Sequence, residues 1–426
     1  MSDVNEIHSC EVCNNLNLDS VLNLGKHPLC DDLVALGEER TCEEFKIEIL
    51  YCAKCVTAHQ RFQVPKRELF PPTYHYRSRF TADVLSGMSA LVDACEDTLG
   101  SLKGKLVLDV GCNDGSLLDF FQKKGARTIG IEPTDAYLDG LGKGHDLTSG
   151  FFSPETAKAL RDKYGSPDVI TFTNVFAHIE NLPEVIQALQ VLMASKTTLV
   201  VENHYLGAVL DRHQFDTFYH EHPRTYSLTS FQHIAKSIGV KLSGVDFPQR
   251  YGGNIRVFMG GPSTVKDESN TMIRKILIIE EQYGIRLKKM QANIDKWKGV
   301  MSKRIDDMVA RHGKLAGKAF PGRAAILVRL LELNSDVMDA VYEKPGSMKI
   351  GNYLPGTRIP IKSDLDLFAS QPSPPVLLNL AWHIASEIEN YLKNEGYTGE
   401  IINILEPRDF PSQHNPESVS DNPTYP

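Results

Sequence analysis

The chain has 426 residues, of which 46 are Lys or Arg and 54 are Asp or Glu, so its formal net charge is −8. This charge balance argues against a nucleic-acid partner, and the apolar fraction of 42% is typical of globular domains. No apolar run approaches the roughly 18 to 20 residues that span a bilayer, and the polar N-terminus does not resemble a signal peptide. Length and composition predict about two to three globular domains in a cytoplasmic protein that does not bind membranes.

The first 70 residues contain short strands, turns and two cysteine pairs, Cys10-x-x-Cys13 and Cys52-x-x-Cys55. Two such pairs can supply four thiolates to one tetrahedral Zn²⁺, and a site closed by four protein ligands is structural rather than catalytic. The alternative is a set of reduced structural cysteines or a redox pair. Cys30 and Cys42 lie between the two pairs and are alternative metal ligands. We predict a zinc-binding module over residues 1–70.

Residues 71–264 alternate short β-rich apolar runs with helical patterns. The runs that we predict as strands are 105–110, 128–133, 168–174 and 197–203. Strands separated by helices in this way indicate a parallel sheet that is covered on both faces.

A glycine-bearing turn follows the first of these strands in LDVGCNDG, between Asp109 and Gly115. Its Asp-x-Gly-x-x-x-Gly spacing resembles motif I of class I methyltransferases that use S-adenosylmethionine, and it lacks the second Gly of a dinucleotide motif. Glu132 ends the next strand, where a carboxylate can accept both ribose hydroxyls. NAD is the main competing cofactor, and an ordinary tight turn is the structural alternative. The predicted cofactor-binding residues are Asp109, Gly111, Asn113, Gly115, Glu132, Asn174 and Phe176.

A cluster of histidines and tyrosines follows the later strands. His178 comes directly after the strand 168–174, and the segment 213–227 (HQFDTFYHEHPRTYS) follows the strand 197–203. Histidine can remove a proton at neutral pH, and neighbouring Tyr or His side chains can donate hydrogen bonds to a developing enolate. The sequence therefore predicts a catalytic cluster, with metal binding and a structural hydrogen-bond network as the alternatives.

The remaining chain contains a helical stretch, a second α/β pattern and a polar tail. Residues 265–313 are charged and poor in Gly and Pro, which predicts one or two connecting helices. Residues 314–406 repeat a strand–helix pattern and predict a C-terminal α/β domain. Residues 407–426 are rich in Pro, Ser, Asn and Asp, which predicts a flexible tail.

Taken together, the cysteine pairs, the LDVGCNDG loop, the YHEH run and the KIGNYLPGTRIPI segment resemble the sugar C-methyltransferases that act on nucleotide-linked 4-keto-6-deoxy sugars. The resemblance covers roughly residues 8 to 405. It implies an α/β fold: a class I methyltransferase Rossmann-like domain with a small N-terminal zinc module and a C-terminal Rossmann-like α/β domain. Its implied cofactors are S-adenosylmethionine and a structural Zn²⁺.

The same resemblance implies roles for individual residues. His222 would be the general base that removes the proton beside the ketone, Tyr219 and His178 would lie against the keto sugar, and Glu221 would orient the cluster. Tyr74 and Tyr76 resemble a tyrosine-bearing segment that covers cofactor and substrate. Two segments depart from the family pattern, Pro223-Arg224-Thr225 and AFPGRAAILVR at 319–329. The predicted substrate-binding residues are Tyr74, Tyr76, Arg224, Lys349 and Thr357, the last two near a segment that could hold a diphosphate.

These observations predict a C-methyltransferase for a nucleotide-linked keto-deoxy sugar, acting as a monomer or homodimer. The main alternative is an O- or N-methyltransferase on a related nucleotide sugar or small metabolite. The third hypothesis is a zinc-containing binding protein that has kept the fold but has no catalytic activity.

Overall fold

The computed structural model describes residues 4–72, 74, 76–261 and 267–410. Most of the predicted flexible tail, residues 411–426, lies outside the described residues. Within the described part, no helix combines the length and the apolar character needed to cross a membrane.

The N-terminal region is a small antiparallel β-structure. Its elements are β1 (Asn5–Glu6), β2 (Asp19–Pro28), β3 (Val34–Ala35), β4 (Glu44–Cys52), β5 (Thr57–Gln60), β6 (Phe62–Gln63) and the short helix α1 (Lys66–Leu69). In β4 every second side chain, Phe45, Ile47 and Ile49, is buried, while Lys46 between them is exposed. This alternation is what a strand with one core-facing side requires. Strand β4 pairs with β2 on one side and with β5 on the other.

The central region is an α/β domain. Its elements are α2 (Ala82–Leu99), β7 (Leu106–Val110), α3 (Ser116–Lys123), β8 (Arg127–Glu132), α4 (Tyr137–Gly142), β9 (Asp146–Ser149), α5 (Pro154–Tyr164), β10 (Val169–Thr173), α6 (Leu182–Leu192), β11 (Thr198–His204), α7 (Leu206–Asp211), β12 (Arg224–Thr225), α8 (Leu228–Ile238), β13 (Leu242–Asp246) and β14 (Asn254–Gly260). Seven strands form one sheet in the order β13-β14-β11-β10-β7-β8-β9.

Strands β7 to β11 of this sheet run parallel, while β14 is antiparallel to both of its neighbours. All five residues of the central strand β7 are buried, because helices cover both faces of the sheet. This order, with one antiparallel strand near an edge, is the arrangement expected for a class I methyltransferase. The predicted fold class is therefore confirmed for the central region. Strand β12 belongs elsewhere, since it pairs with β5 and extends the N-terminal sheet to the order β12-β5-β4-β2.

Two helices connect the central and C-terminal regions, α9 (Asp267–Glu280) and α10 (Tyr283–His312). One face of α10 is buried, and its residues are Tyr283, Leu287, Met290, Ile294, Trp297, Met301, Ile305 and Met308. Their spacing of three and four residues is that of an amphipathic helix. Through this face α10 packs on both flanking regions, and Trp297 Nε1 donates to the Ile404 carbonyl at 3.2 Å.

The C-terminal region is a second α/β unit. Its elements are β15 (Leu315–Lys318), α11 (Ala324–Leu330), β16 (Met338–Glu343), β17 (Asn352–Tyr353), β18 (Ile361–Ser363), α12 (Asp364–Ala369), β19 (Val376–Asn379), α13 (Ala385–Asn394) and β20 (Glu400–Asn403). Five parallel strands form a sheet in the order β18-β16-β15-β19-β20. The strand order reverses between β15 and β19, the position at which open α/β sheets bind ligands. Strand β17 pairs instead with β3 of the N-terminal region.

Candidate active site

One cleft of about 850 Å³ is enclosed by all three sheet-containing regions. Its walls include the loops after β7, β8 and β10, the end of β11, four residues of the segment 217–222, and Cys30 and Asp31 from the N-terminal region. The C-terminal region contributes residues 321–323 and 343–349, together with His383 and Ile384. The volume lies near the upper end of the range of about 300–1,000 Å³ for small-molecule sites.

The cofactor side of the cleft is built at the carboxyl ends of β7 and β8. Glu132 Oε2 accepts a hydrogen bond from the Asn113 backbone N–H at 3.0 Å, and its Oε1 accepts from the Thr134 N–H at 2.9 Å. These bonds hold the carboxylate against the glycine turn. Gly111 has φ +72°, and a Cβ there would lie 2.6 Å from Val175 Cγ2. The turn therefore needs glycine at this position for both conformation and space.

Asp109 lies at the end of β7 in the floor of the cleft. It accepts a hydrogen bond of 2.7 Å from Thr171 Oγ1 on the neighbouring strand. Burial raises the pKa of Asp109 to about 7 and outweighs the opposing effect of this hydrogen bond.

Five of the seven predicted cofactor residues line the cleft, namely Asp109, Gly111, Asn113, Glu132 and Asn174. The other two lie behind its wall. Gly115 is packed against His145 where α3 begins, and Phe176 is fully buried among aromatic rings. Tight packing accounts for both positions, and a cofactor contact by Gly115 and Phe176 stays a prediction.

His222 lies in the cleft with its tautomer defined by the backbone. Its Nδ1 is 2.9 Å from the Thr217 carbonyl oxygen, which can only accept, so Nδ1 carries the proton and Nε2 keeps its lone pair. Burial lowers the pKa of His222 well below its ordinary value, and the neighbouring His178 and His204 act in the same direction. The ring is thus neutral at pH 7 and able to accept a proton.

Three further rings surround His222 in the wall of the cleft. The centroid distances from the His222 ring are 4.4 Å to Tyr219, 4.8 Å to His178 and 5.4 Å to His204. His178 Nδ1 donates to the Glu221 backbone carbonyl at 2.7 Å, and burial lowers the pKa of His178 to about 4. Sequence reasoning missed His204, although its position at the end of β11 is one at which an open sheet places functional residues.

Glu221 contacts a residue of the N-terminal region that sequence reasoning considered only as an alternative zinc ligand. Cys30 Sγ donates to Glu221 Oε1 at 2.9 Å, and Tyr74 Oη lies 3.4 Å from Glu221 Oε2. Burial, followed by the nearby Asp31 carboxylate, raises the pKa of Glu221 to about 8. Glu221 is therefore mainly protonated at neutral pH, and it can donate as well as accept a hydrogen bond.

Tyr74, Tyr76 and Lys349 line the same cleft as predicted substrate-binding residues. Tyr76 is 41% exposed, and its backbone carbonyl accepts from Asn113 Nδ2 at 3.1 Å. Lys349 Nζ donates to the Phe320 carbonyl at 2.7 Å, which fixes the ammonium group at the C-terminal wall.

Arg224 and Thr357 are placed differently from the prediction. The Arg224 guanidinium is fully buried and forms an ion pair of 2.6 Å with Glu11 of the N-terminal region, and this ion pair accounts for its position. Thr357 Oγ1 donates to the Leu354 carbonyl at 2.9 Å within its own turn, and this local bond accounts for its position. Neither residue belongs to the lining of the cleft.

The C-terminal wall contains a buried ion pair that crosses between regions. Arg323 donates from Nε and Nη2 to the two carboxylate oxygens of Asp216, at 2.9 and 2.5 Å. Trp382 Nε1 donates to the same carboxylate at 2.8 Å. Asp216 directly precedes Thr217, so this ion pair also restrains the carbonyl that orients His222. Sequence reasoning missed Arg323 and His383, although it had noted the unusual segment at 319–329.

The four paired cysteines converge in the N-terminal region. Cys10 Sγ lies 3.3 Å from Cys55 Sγ, and Cys13 Sγ lies 3.6 Å from Cys52 Sγ. All four sulfur atoms are within 4.8 Å of one another, and all eight cysteines are free thiols. Tetrahedral zinc with Zn–S bonds of about 2.3 Å would place its sulfur ligands about 3.8 Å apart, so the arrangement fits a structural zinc ion.

Three protein families match consecutive parts of the chain. Residues 10–70 match the family named "Putative zinc binding domain", residues 75–243 match "Methyltransferase domain", and residues 249–403 match "C-methyltransferase C-terminal domain". C-methyltransferase NovU of Streptomyces niveus is 27% identical over 416 residues, covering 95% of this chain and 97% of its own length.

Other relatives match the central region alone. The ubiquinone biosynthesis O-methyltransferase of Shewanella pealeana is 37% identical over 97 residues, which are 22% of this chain and 41% of that protein. Among solved structures, the magnesium protoporphyrin IX methyltransferase of Synechocystis PCC 6803 with bound SAH is 16% identical, covers 42% of this chain and 84% of its own, and has a TM-score of 0.33.

The predicted enzyme class and cofactors are confirmed by these family matches together with the four-cysteine cluster. The chain is an S-adenosylmethionine-dependent methyltransferase, and its consecutive parts match a zinc-binding domain, a methyltransferase domain and a C-methyltransferase C-terminal domain.

Proposed function

We propose that this enzyme methylates the carbon next to the ketone of a nucleotide-linked keto-deoxy sugar in the cytoplasm, with His222 as the general base. The observation that carries the proposal is the neutral His222 ring, whose Nδ1–H is bonded to a backbone carbonyl and whose Nε2 is left able to accept a proton. A carbon next to a ketone is a weak acid, so attack from carbon needs a base of this kind.

The surrounding residues supply what proton removal requires. Bound S-adenosylmethionine would supply an electrophilic methyl group at its sulfonium centre, and the electrons of the broken S–CH3 bond would leave with S-adenosylhomocysteine. His222 Nε2 takes the proton from carbon, and the electron pair of that C–H bond becomes the nucleophile that forms the new C–C bond. Tyr219 and the protonated Glu221 are hydrogen-bond donors close to the base. We assign to them the stabilisation of negative charge that develops on the keto oxygen.

Charge on the C-terminal wall supports a nucleotide-linked substrate. Two lysines, Lys344 and Lys349, line this side of the cleft, together with Arg323, whose charge is paired with Asp216. They lie near the carboxyl ends of β15 and β16, next to the reversal of strand order, where an open sheet binds a phosphate-bearing ligand. Arg and Lys side chains bind phosphate oxygens through charge-assisted hydrogen bonds. A diphosphate on this wall would direct the sugar toward the histidine cluster.

Deuterium uptake tests the proposal. The enzyme is incubated in D₂O with a panel of TDP-linked 4-keto-6-deoxy hexoses, with and without S-adenosylmethionine, and product mass is followed. We expect deuterium at the carbon beside the ketone and a loss of at least about 100-fold in His222→Ala, the usual scale for a general base. Binding of S-adenosylhomocysteine should be unchanged, and His233→Ala on α8 is the control.

The location of the transferred methyl group decides between this proposal and its alternative. NMR of the product should show a new C–C bond. A methyl group on oxygen or nitrogen would instead identify an O- or N-methyltransferase, and normal turnover by His222→Ala would refute the assignment of the base.

A further inference from the structure

The segment that contains His222 is bonded to the zinc-binding region on both sides of that residue. Before it, Gln60 Nε2 donates to the Tyr219 carbonyl at 3.2 Å, and His220 Nε2 lies 3.2 Å from the Phe45 carbonyl. After it, the Gln60 backbone N–H donates to the Pro223 carbonyl at 2.8 Å. We call residues 217–225 the base loop.

The base loop ends as a strand of the zinc-binding sheet. In the two-residue strand β12, Arg224 pairs with His59 and Thr225 with Ala58 of β5. Since β12 is so short, its position depends on β5 being held in place from its other side. Strand β5 is in turn the second strand of a hairpin with β4.

Two of the four zinc ligands form the turn of that hairpin. Cys52 is the last residue of β4, and Cys55 lies two positions before β5 begins. The next residue, Val56, has φ +54°, a left-handed conformation that is unfavourable for a β-branched residue. A metal bound to both cysteines and to the Cys10–Cys13 pair would hold the turn in this conformation.

The turn is also attached to the methyltransferase domain. Ser230 Oγ, in the first turn of α8, donates to the Cys55 and Val56 carbonyls at 3.1 and 3.0 Å, and it lies 2.8 Å from Thr57 Oγ1. The same side chain takes part in the capping box that begins α8 at Ser227. The cysteine turn, strand β5, the base loop and α8 thus form one bonded unit.

From these contacts we infer that the zinc site positions the catalytic base, with Gln60 as the positioning residue that transmits the constraint. The inference rests on the function proposed above for His222. Metal bound by the four cysteines fixes the turn, the turn fixes β5, and Gln60 of β5 fixes the carbonyls of Tyr219 and Pro223. Without this constraint the base loop would no longer hold His222 in place. A misplacement of a catalytic group by about 1 Å can lower the rate about 100-fold.

Gln60→Met tests the link while leaving all four cysteines intact. The substitution keeps the side-chain length but removes the donor to Tyr219. We expect the variant to keep one zinc per chain and an unchanged affinity for S-adenosylhomocysteine. The kcat for deuterium uptake by TDP-4-keto-6-deoxyglucose should fall about 10- to 100-fold, and its KM should change less. Arg61→Met is the matched control, because the neighbouring Arg61 side chain bonds to Glu6 and Glu48 on the far side of the module.

Hydrogen exchange gives a readout that does not depend on the reaction. In Gln60→Met, and in wild-type enzyme whose zinc has been removed with a chelator, amides of 219–225 should exchange at least about 10-fold faster. Amides of β7 should keep their protection, and added Zn²⁺ should restore the stripped enzyme.

The two sets of data separate the inference from the proposed function. If base-loop protection and kcat are unchanged in both samples, the zinc site does not position the loop and the inference is wrong. If loop protection is lost but kcat is retained, the zinc site orders the loop without positioning the base for the reaction, and the inference is wrong, while the role of His222 is decided separately by His222→Ala.

Discussion

Replacing Glu11 with glutamine tests how strongly the zinc-binding region is held to the methyltransferase domain. The Glu11 carboxylate accepts from the buried Arg224 guanidinium at 2.6 Å, and Oε2 lies 3.5 Å from His59 Nδ1. Burial alone would raise the pKa of Glu11. The positive charge of Arg224, its hydrogen bond to Glu11 and the interaction with His59 together outweigh this effect, and the pKa is lowered to about 2.

The lowered pKa sets the size of the expected effect. Each pH unit between the unfolded and folded pKa corresponds to about 1.4 kcal/mol, so a change from 4.5 to about 2 corresponds to about 3 kcal/mol. Because the folded pKa is the lower one, this stabilisation is fully present above about pH 4.5 and is lost as the pH falls toward 2. Glu11→Gln keeps the shape of the side chain but leaves Arg224 buried without a counter-charge.

Urea unfolding at pH 7 and at pH 5, followed by circular dichroism and by zinc release to a chromophoric chelator, measures the difference. We expect Glu11→Gln to lower the free energy of unfolding of the module by about 3 kcal/mol at both pH values. Glu6→Gln is the control, because the Glu6–Arg61 pair is more than one-third exposed on each side and such pairs contribute at most about 1 kcal/mol. A loss below about 1 kcal/mol in Glu11→Gln would refute the reasoning.

Three further predictions concern other parts of the molecule. Glu132→Gln should weaken S-adenosylhomocysteine binding about 10- to 100-fold by calorimetry, because a charge-assisted bond contributes about 1.5–3 kcal/mol; unchanged affinity would exclude a cofactor contact. In the wild type the buried Lys318 ammonium lies 2.8 Å from the Asp364 carboxylate. Asp364→Asn removes this ion pair and should lower the free energy of unfolding, measured in urea, by about 3–5 kcal/mol. The pKa of Glu221 is raised from 4.5 to about 8 in the folded protein, so the folded state binds one proton more than the unfolded state between these pH values. The free energy of unfolding of the wild type, relative to that of Glu221→Gln, should therefore fall by up to about 1.4 kcal/mol per pH unit between pH 5 and 8. If the difference between the two proteins does not change with pH, Glu221 is not neutral at pH 7.

The parts of the structure that sequence patterns predicted are those determined by local chemistry. The run LVLDV predicted a buried strand because a short run of apolar residues, here with one Asp, fits a sheet covered on both faces, and β7 occupies Leu106–Val110. The Cys-x-x-Cys spacing placed two thiols in each turn, and the turns do meet. In both cases the determining contacts lie within a few residues.

Residues that depend on distant contacts were missed or misplaced. Arg224 follows the YHEH run and is charged, which suggested a substrate contact, but its partner Glu11 lies more than 200 residues earlier. Arg323 reaches the cleft only because Asp216, 107 residues away, accepts its hydrogen bonds. No periodicity within either segment carries information about such a partner.

The pairing of the N-terminal sheet has a consequence for how the protein is made. Gln60 contacts Tyr219, 159 residues later, and Gly37 next to β3 contacts Tyr353, 316 residues later. Because a ribosome adds about 5–20 residues per second, β5 and β3 are synthesised on the order of ten seconds or more before the strands β12 and β17 that pair with them. The cysteine cluster leaves the ribosome before these later strands are translated. The zinc-binding region is thus synthesised before both α/β regions but is among the last to reach its final contacts.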